Sequence, residues 1–166
     1  MEFAIIQGDI AAQSADCLVD AAGTTLAMGS GVAGSLREAS RGPIDAAAMA
    51  QEPVDLGGAA VTPAFDLPAR WVIHAAAMPR YGDGRASEHS IRDAVRNTVE
   101  KADELGCAAL VIPPLGCGGA GFDLATGCRL ILEEIAAYRP RRLQQVSLMV
   151  YRLEDQQIAE TVARQV

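Results

Sequence analysis

Positive charge is scarce in this sequence. Its 166 residues hold 14 Lys and Arg against 21 Asp and Glu, a formal net charge of −7, and Lys101 is the sole lysine. Non-specific nucleic-acid binding is not expected, because there is no surplus of cations to neutralise phosphates. No apolar run approaches the roughly 20 residues of a membrane-spanning helix. Nor does a basic-then-apolar leader open the chain, so a cytoplasmic location without a membrane partner is expected. The four cysteines, Cys17, Cys107, Cys117 and Cys128, show neither CxxC nor Cys/His ligand spacing. They are expected to be reduced thiols, and no disulfide framework, zinc site or other metal requirement is foreseen. No Gly-Lys-Ser/Thr follows a glycine loop, and no Gly-x-Gly-x-x-Gly follows the first strand, so no cofactor is expected. There is no internal repeat, linker or low-complexity tract. With 50% apolar residues, one domain over residues 1–166 with a sizeable core is expected.

What the chain does have is glycine in two clusters, each between an apolar run and an amphipathic one. Residues 108–112 are apolar without alternation, as in a strand buried on both faces. Pro113 and Pro114 stop pairing, since neither donates to a ladder. Gly116, Gly118, Gly119 and Gly121 then fall within six residues, with Cys117, Ala120 and Phe122 between and after them, and Asp123 is a good N-cap. Strand, glycine loop and helix start together form an anion cradle, because glycine lets the backbone approach a ligand and a helix start offers free N–H groups. Alone, such a loop is equally a tight connection. The earlier cluster Gly29-Ser30-Gly31-Val32, again running into a helical pattern at Val32, Leu36 and Ala39, shifts the reading. Two phosphate-sized cradles suit a diphosphate.

The remaining pattern alternates strands with helices. Strands are expected over 3–6, 17–19, 59–62, 71–77 and 146–151, and helices over 44–49, from a Ser87 or Ser90 cap to Leu105, over 124–138 and over 153–166. The last helix is expected to bury Ile158 and Val162. Pro53 with Gly57-Gly58 marks a turn, and Tyr81 to Gly84 a surface loop. This order implies a three-layer α/β domain. Asp9, just past the first strand, is placed either to accept hydrogen bonds from a ligand's exocyclic amine or to close a turn. His74, inside an apolar strand, is expected to be a buried histidine with a satisfied hydrogen bond.

Five segments in order, Gly8-Asp9-Ile10, Leu18 to Ala22, Gly29 to Val32, Pro68 to His74 and Pro113 to Phe122, resemble the macrodomain family over essentially the whole chain. The resemblance implies an α/β/α fold with a mixed, mostly parallel sheet. It also implies binding of ADP-ribose, its derivatives or an ADP-ribosylated substrate. By position, Asp9 resembles the acid that meets the adenine amine, Ile10 the residue beside the base and Tyr151 the aromatic on which adenine stacks. The two loops, residues 29–32 and 116–121, resemble those enclosing the diphosphate and distal ribose, with Phe122 near that ribose. Backbone amides are expected to hold the diphosphate without any Arg or Lys, which reconciles the ligand with an acidic protein.

Departures from the family bear on catalysis. Hydrolase-type members carry Asn-Ala-Ala-Asn where this chain has Asp20-Ala21-Ala22-Gly23, and Asp where Ala33 stands. A branch sharing Gly116-Cys117-Gly118 uses a lysine nucleophile and an aspartate where Ala120 stands, and Lys101 falls in mid-helix. The resemblance therefore implies a reader or scavenger of ADP-ribose. The alternative is a hydrolase or phosphoesterase of ADP-ribosyl linkages using other groups, with Asp20, Cys117 and His74 as candidates. A drifted pocket serving another nucleotide or a structural role is a third reading.

Overall fold

The computed structural model describes residues 1–29, 31–52, 54–80, 83–118 and 121–166. Six strands form one sheet: β1 (Glu2–Gln7), β2 (Cys17–Gly23), β3 (Ala59–Pro63), β4 (Trp71–Met78), β5 (Ala109–Ile112) and β6 (Gln145–Val150). Their order is β1-β6-β5-β2-β4-β3. Every neighbouring pair is parallel except β3 with β4, so the sheet is mixed and mostly parallel. The helices among the described residues are α1 (Gly31–Ser40), α2 (Ile44–Met49), α3 (Glu88–Glu104), α4 (Leu124–Ala137) and α5 (Leu153–Ala163), with a 3-10 turn at Ile10–Ala12.

Strand side chains alternate between two cores. Cys17, Val19, Ile73, Ala75, Leu110 and Ile112 point to the face covered by α3, α4 and α5. Leu18, Val72, Val111 and Met149 point to the other, beneath the 3-10 turn, α1 and α2. Near-continuous apolar strands are what helices on both faces require. A fully buried side chain such as Leu36 or Ile91 contributes about 1.5–3 kcal/mol. Helix α3 opens with a reciprocal cap: Ser90 N–H donates to Ser87 Oγ at 3.0 Å, and Ser87 N–H to Ser90 Oγ at 2.9 Å. No helix among the described residues is long and apolar enough to cross a membrane.

Three expectations need correction. Cys17 and Cys107 are joined in a disulfide with Cα atoms 6.5 Å apart, and only Cys117 and Cys128 are free. The cause is topological: β2 and β5 are neighbours, so Cys17 at the start of β2 meets Cys107, two residues before β5, across 90 positions of sequence. Ile158 is 40% exposed, while Ala159 and Val162 form the inner face of α5. The small Ala159 lets the helix approach the sheet, turning Ile158 outward. Strand β6 ends at Val150, so Tyr151 lies beyond it and is 75% exposed. Pro53, and Tyr81 and Gly82 of the surface loop, lie outside the described residues.

Candidate functional site

Strands β2 and β5 lie side by side and run parallel, yet the chain leaves them for opposite faces. From β2 it passes to α1, and from β5 to α4. The edge pair diverges likewise, β1 leading to the 3-10 turn on the α1 side and β6 to α5 on the other. Crevices open at the carboxyl ends of strands where connections diverge in this way. Following these strand ends, in the order β1, β6, β5, β2, come Asp9, Tyr151, Gly116 to Gly118 with Gly121 and Phe122, and Gly29 with Gly31 and Val32. The described residues of the four expected segments thus follow the carboxyl ends of four adjacent strands, although they run from position 9 to position 151 of the sequence.

The loop after β5 is shaped by its own hydrogen bonds. The N–H groups of Cys117, Gly121 and Phe122 donate to the carbonyls of Pro114, Gly118 and Gly116 at 3.2, 3.0 and 3.0 Å. Those three amides are thereby satisfied within the loop. Gly116 has φ +76°, and a Cβ there would stand 2.7 Å from the Ala86 Cβ, so glycine is required. At Gly118, by contrast, a Cβ would meet nothing within 4 Å among the described residues. Asp123 caps α4, accepting from the Thr126 N–H at 3.0 Å and the Thr126 hydroxyl at 2.8 Å, which holds its carboxyl below the ordinary value. In the loop after β2, Met28 N–H donates to Asp45 Oδ1 at 2.9 Å, fastening the loop to α2. Gly29 and Gly31 are exposed and face open space, and Val32 is half-buried. Ser30, Gly119 and Ala120, expected in these loops, lie outside the described residues.

At the other end of the rim, Asp9 is exposed and its Oδ1 accepts from Ala11 N–H at 2.9 Å, capping the 3-10 turn. Gly8 N–H donates to Val150 O at 2.9 Å, and Gln7 Nε2 to Tyr151 O at 2.7 Å, so the strand ends carrying Asp9 and Tyr151 are tied together. Ile10 is buried in the core on the α1 side. Phe122 is half-buried and packs on the α4 side.

The three catalytic candidates do not form one group. Asp20 and His74 are register partners on β2 and β4, and Asp20 Oδ2 lies 2.8 Å from His74 Nδ1. His74 Nε2 lies 2.9 Å from the Thr62 Oγ1 on β3. All three are buried, Asp20 and His74 completely, and Asp20 Oδ1 is without a hydrogen-bond partner among the described residues. Cys117 stands apart, its Sγ directed at the carbonyl oxygens of Leu115 and Asp123. Burial, then the nearby Cys128 and Asp123, pushes this thiol up to about 12, so it is protonated at neutral pH. The thiolate is the nucleophile, and it is not populated. No group of three or more His, Cys, Asp and Glu among the described residues is arranged to hold a metal ion.

Two neighbours escaped the sequence reading. Thr62 completes the hydrogen-bonded row through the antiparallel β3–β4 pair, which apolar alternation alone does not register. Arg85 lies against Gly121, its Nε 3.7 Å from where a Cβ on that glycine would be. A cation therefore stands beside a loop for which none was expected.

With this geometry in hand, known proteins give a consistent comparison. The Macro domain family model matches residues 19–131. An uncharacterized protein of Mycobacterium tuberculosis is 36% identical over 151 residues, 91% of this chain and 42% of that relative. The chain thus spans less than half the length of that relative. A Macro domain-containing protein of Lactiplantibacillus plantarum is 31% identical over 137 residues, 82% of this chain and 80% of the relative. Among solved structures, a mutant Oceanobacillus iheyensis macrodomain with ADPR superposes with TM-score 0.88 at 20% identity, covering 97% of this chain and 91% of that one. The Trypanosoma brucei macrodomain in complex with ADP-ribose gives 0.85 at 20% identity, covering 96% and 68%. The three-layer fold and the family-model match over residues 19–131 lead to one assignment: this chain belongs to the macrodomain family.

Proposed function

We propose that the rim formed by the carboxyl ends of β1, β6, β5 and β2 binds ADP-ribose or an ADP-ribose derivative, as a reader or scavenger. The observation that carries this reading is the divergence of β2 and β5, with Gly29, Gly31 and Gly118 facing open space on either side of it. In this reading Asp9 accepts from the adenine amine through the carboxylate oxygen that does not cap the 3-10 turn. Tyr151 stacks on the base, a contact worth about 1–3 kcal/mol by analogy with aromatic–base stacking elsewhere. The loops at 29–32 and 116–121 enclose the diphosphate and the distal ribose, with Phe122 beside that ribose. Solved macrodomains of the same fold hold ADPR and ADP-ribose, which supports the ligand class.

Calorimetric titration with ADP-ribose is expected to give micromolar-range binding. Gly118→Val is the informative variant, because a Cβ at this position meets nothing within 4 Å among the described residues. It is expected to keep the wild-type melting temperature and to lose at least about tenfold in affinity, ~1.4 kcal/mol. Absence of heat and of competition at millimolar ADP-ribose refutes the reading.

The hydrogen-bonded Asp20 and His74 favour a second reading, in which the chain cleaves ADP-ribosyl linkages, because a carboxylate orienting an imidazole is a general-base arrangement. Their complete burial weighs against it, since a base must reach the proton it abstracts. The discriminating assay is release of ADP-ribose from modified Asp/Glu, Ser, Arg and nucleic-acid ends, with Asp20→Ala as control. Binding without turnover is the expected result, and turnover abolished by Asp20→Ala establishes the enzyme.

A further inference from the structure

We propose that Arg85 is the anion-binding side chain of the crevice, contacting the nucleotide's diphosphate from the outer side of the loop after β5; this rests on the ADP-ribose reading above. The segment carrying Arg85 leaves the carboxyl end of β4, the neighbour of β2, and enters α3. Its Nε, Cδ and Cζ stand 3.7, 3.8 and 3.8 Å from the position of a Cβ on Gly121, so the guanidinium lies over that glycine. Glycine is called for at that position by its φ of +74°, and the guanidinium packs on it at ordinary contact distance. The next residues hold it in place: Ala86 is buried against Gly116, and Ser87 caps α3. The backbone is thereby fixed while the Arg85 side chain stays exposed.

Arg92, Arg96 and Arg152 each pair with carboxylates, whereas no carboxylate among the described residues is within ion-pair distance of Arg85. Cys117, Gly121 and Phe122 have already used their amides on carbonyls of the loop, so fewer backbone donors remain for a phosphate than the glycine count suggests. A protein of net charge −7 opposes a dianion, and a guanidinium at the point of contact offsets this with planar, paired donors suited to phosphate.

The test is a set of titrations of adenosine, ADP and ADP-ribose into wild-type protein and the variants Arg85→Gln, Arg85→Lys and Arg164→Gln. Arg85→Gln is expected to weaken ADP and ADP-ribose at least tenfold while leaving adenosine unchanged. Arg85→Lys should recover part of the loss, and Arg164→Gln, which removes the same charge at the far end of the chain, should change nothing. Equal affinities of Arg85→Gln and Arg164→Gln for ADP overturn the proposal. So does a loss for adenosine as large as that for ADP, which makes Arg85 a support of loop shape. Failure of wild-type protein to bind either phosphate ligand defeats the ADP-ribose reading, and this proposal with it.

Discussion

Asp103 illustrates how one side chain can fix a segment remote from the crevice. Its carboxylate accepts from the N–H groups of Arg141, Arg142 and Leu143 at 2.8, 2.7 and 2.8 Å, and from the Tyr138 hydroxyl at 3.0 Å. Burial pushes this carboxyl up, but the donors from Arg141, Leu143, Arg142 and Tyr138 outweigh it and hold it at about 2. The folded value lies below that of the unfolded chain. The contribution to stability is therefore present above the ordinary carboxylate value near 4, and it is lost as pH falls from there toward 2. Asp103→Ala leaves three amides without their acceptor and is expected to destabilise the protein by about 3 kcal/mol or more. Urea unfolding at pH 7 and pH 3 checks both points: the gap between wild type and variant should narrow at the lower pH.

Between elements, the contact of α3 with α4 carries the densest charge pairing. Arg92 reaches Glu133 at 2.6 Å, Glu134 at 3.3 Å and Glu88 at 3.3 Å, while Arg96 reaches Glu134 at 3.2 Å and Asp93 at 3.0 Å. Those carboxylates, Glu133 foremost, raise the Arg92 guanidinium further above its ordinary value against the opposing effect of burial. Isolated surface pairs contribute little, but a shared network adds up. Arg92→Ala is expected to lower stability by about 1 kcal/mol at low ionic strength and by less in molar salt. Thermal melts at two salt concentrations read this directly. The same pair of helices shows what the sequence made legible. The spacing of Ile91, Ala94, Val95 and Thr98, the Ser87 cap and the Asp123 cap define both helices to within a residue or two, because period and cap chemistry are local. The partners of Arg92 on α4 were not legible, since they lie 41 and 42 positions away and only the tertiary fold brings them close. The same holds at the candidate site. Both glycine loops stand out in the sequence, whereas Arg85 beside Gly121 and the row from Asp20 through His74 to Thr62 depend on strand order.

At the scale of the whole molecule, strand order governs the site through one short strand. Strand β5 has four residues and its ladder with the seven-residue β2 stops at the pair Leu18–Val111, after which Pro113 and Pro114 offer no donor. Beyond that point β2 is paired only with β4, through Asp20–His74, Ala21–Ala75 and Ala22–Ala76. Amides of β2 that turn toward the missing neighbour, in the middle of the sheet, should exchange their hydrogens with solvent as readily as those at its outer border. A bound nucleotide filling the gap would slow that exchange. Deuterium uptake over 20–23, followed with and without ADP-ribose, would then register occupancy of the crevice from inside the sheet itself.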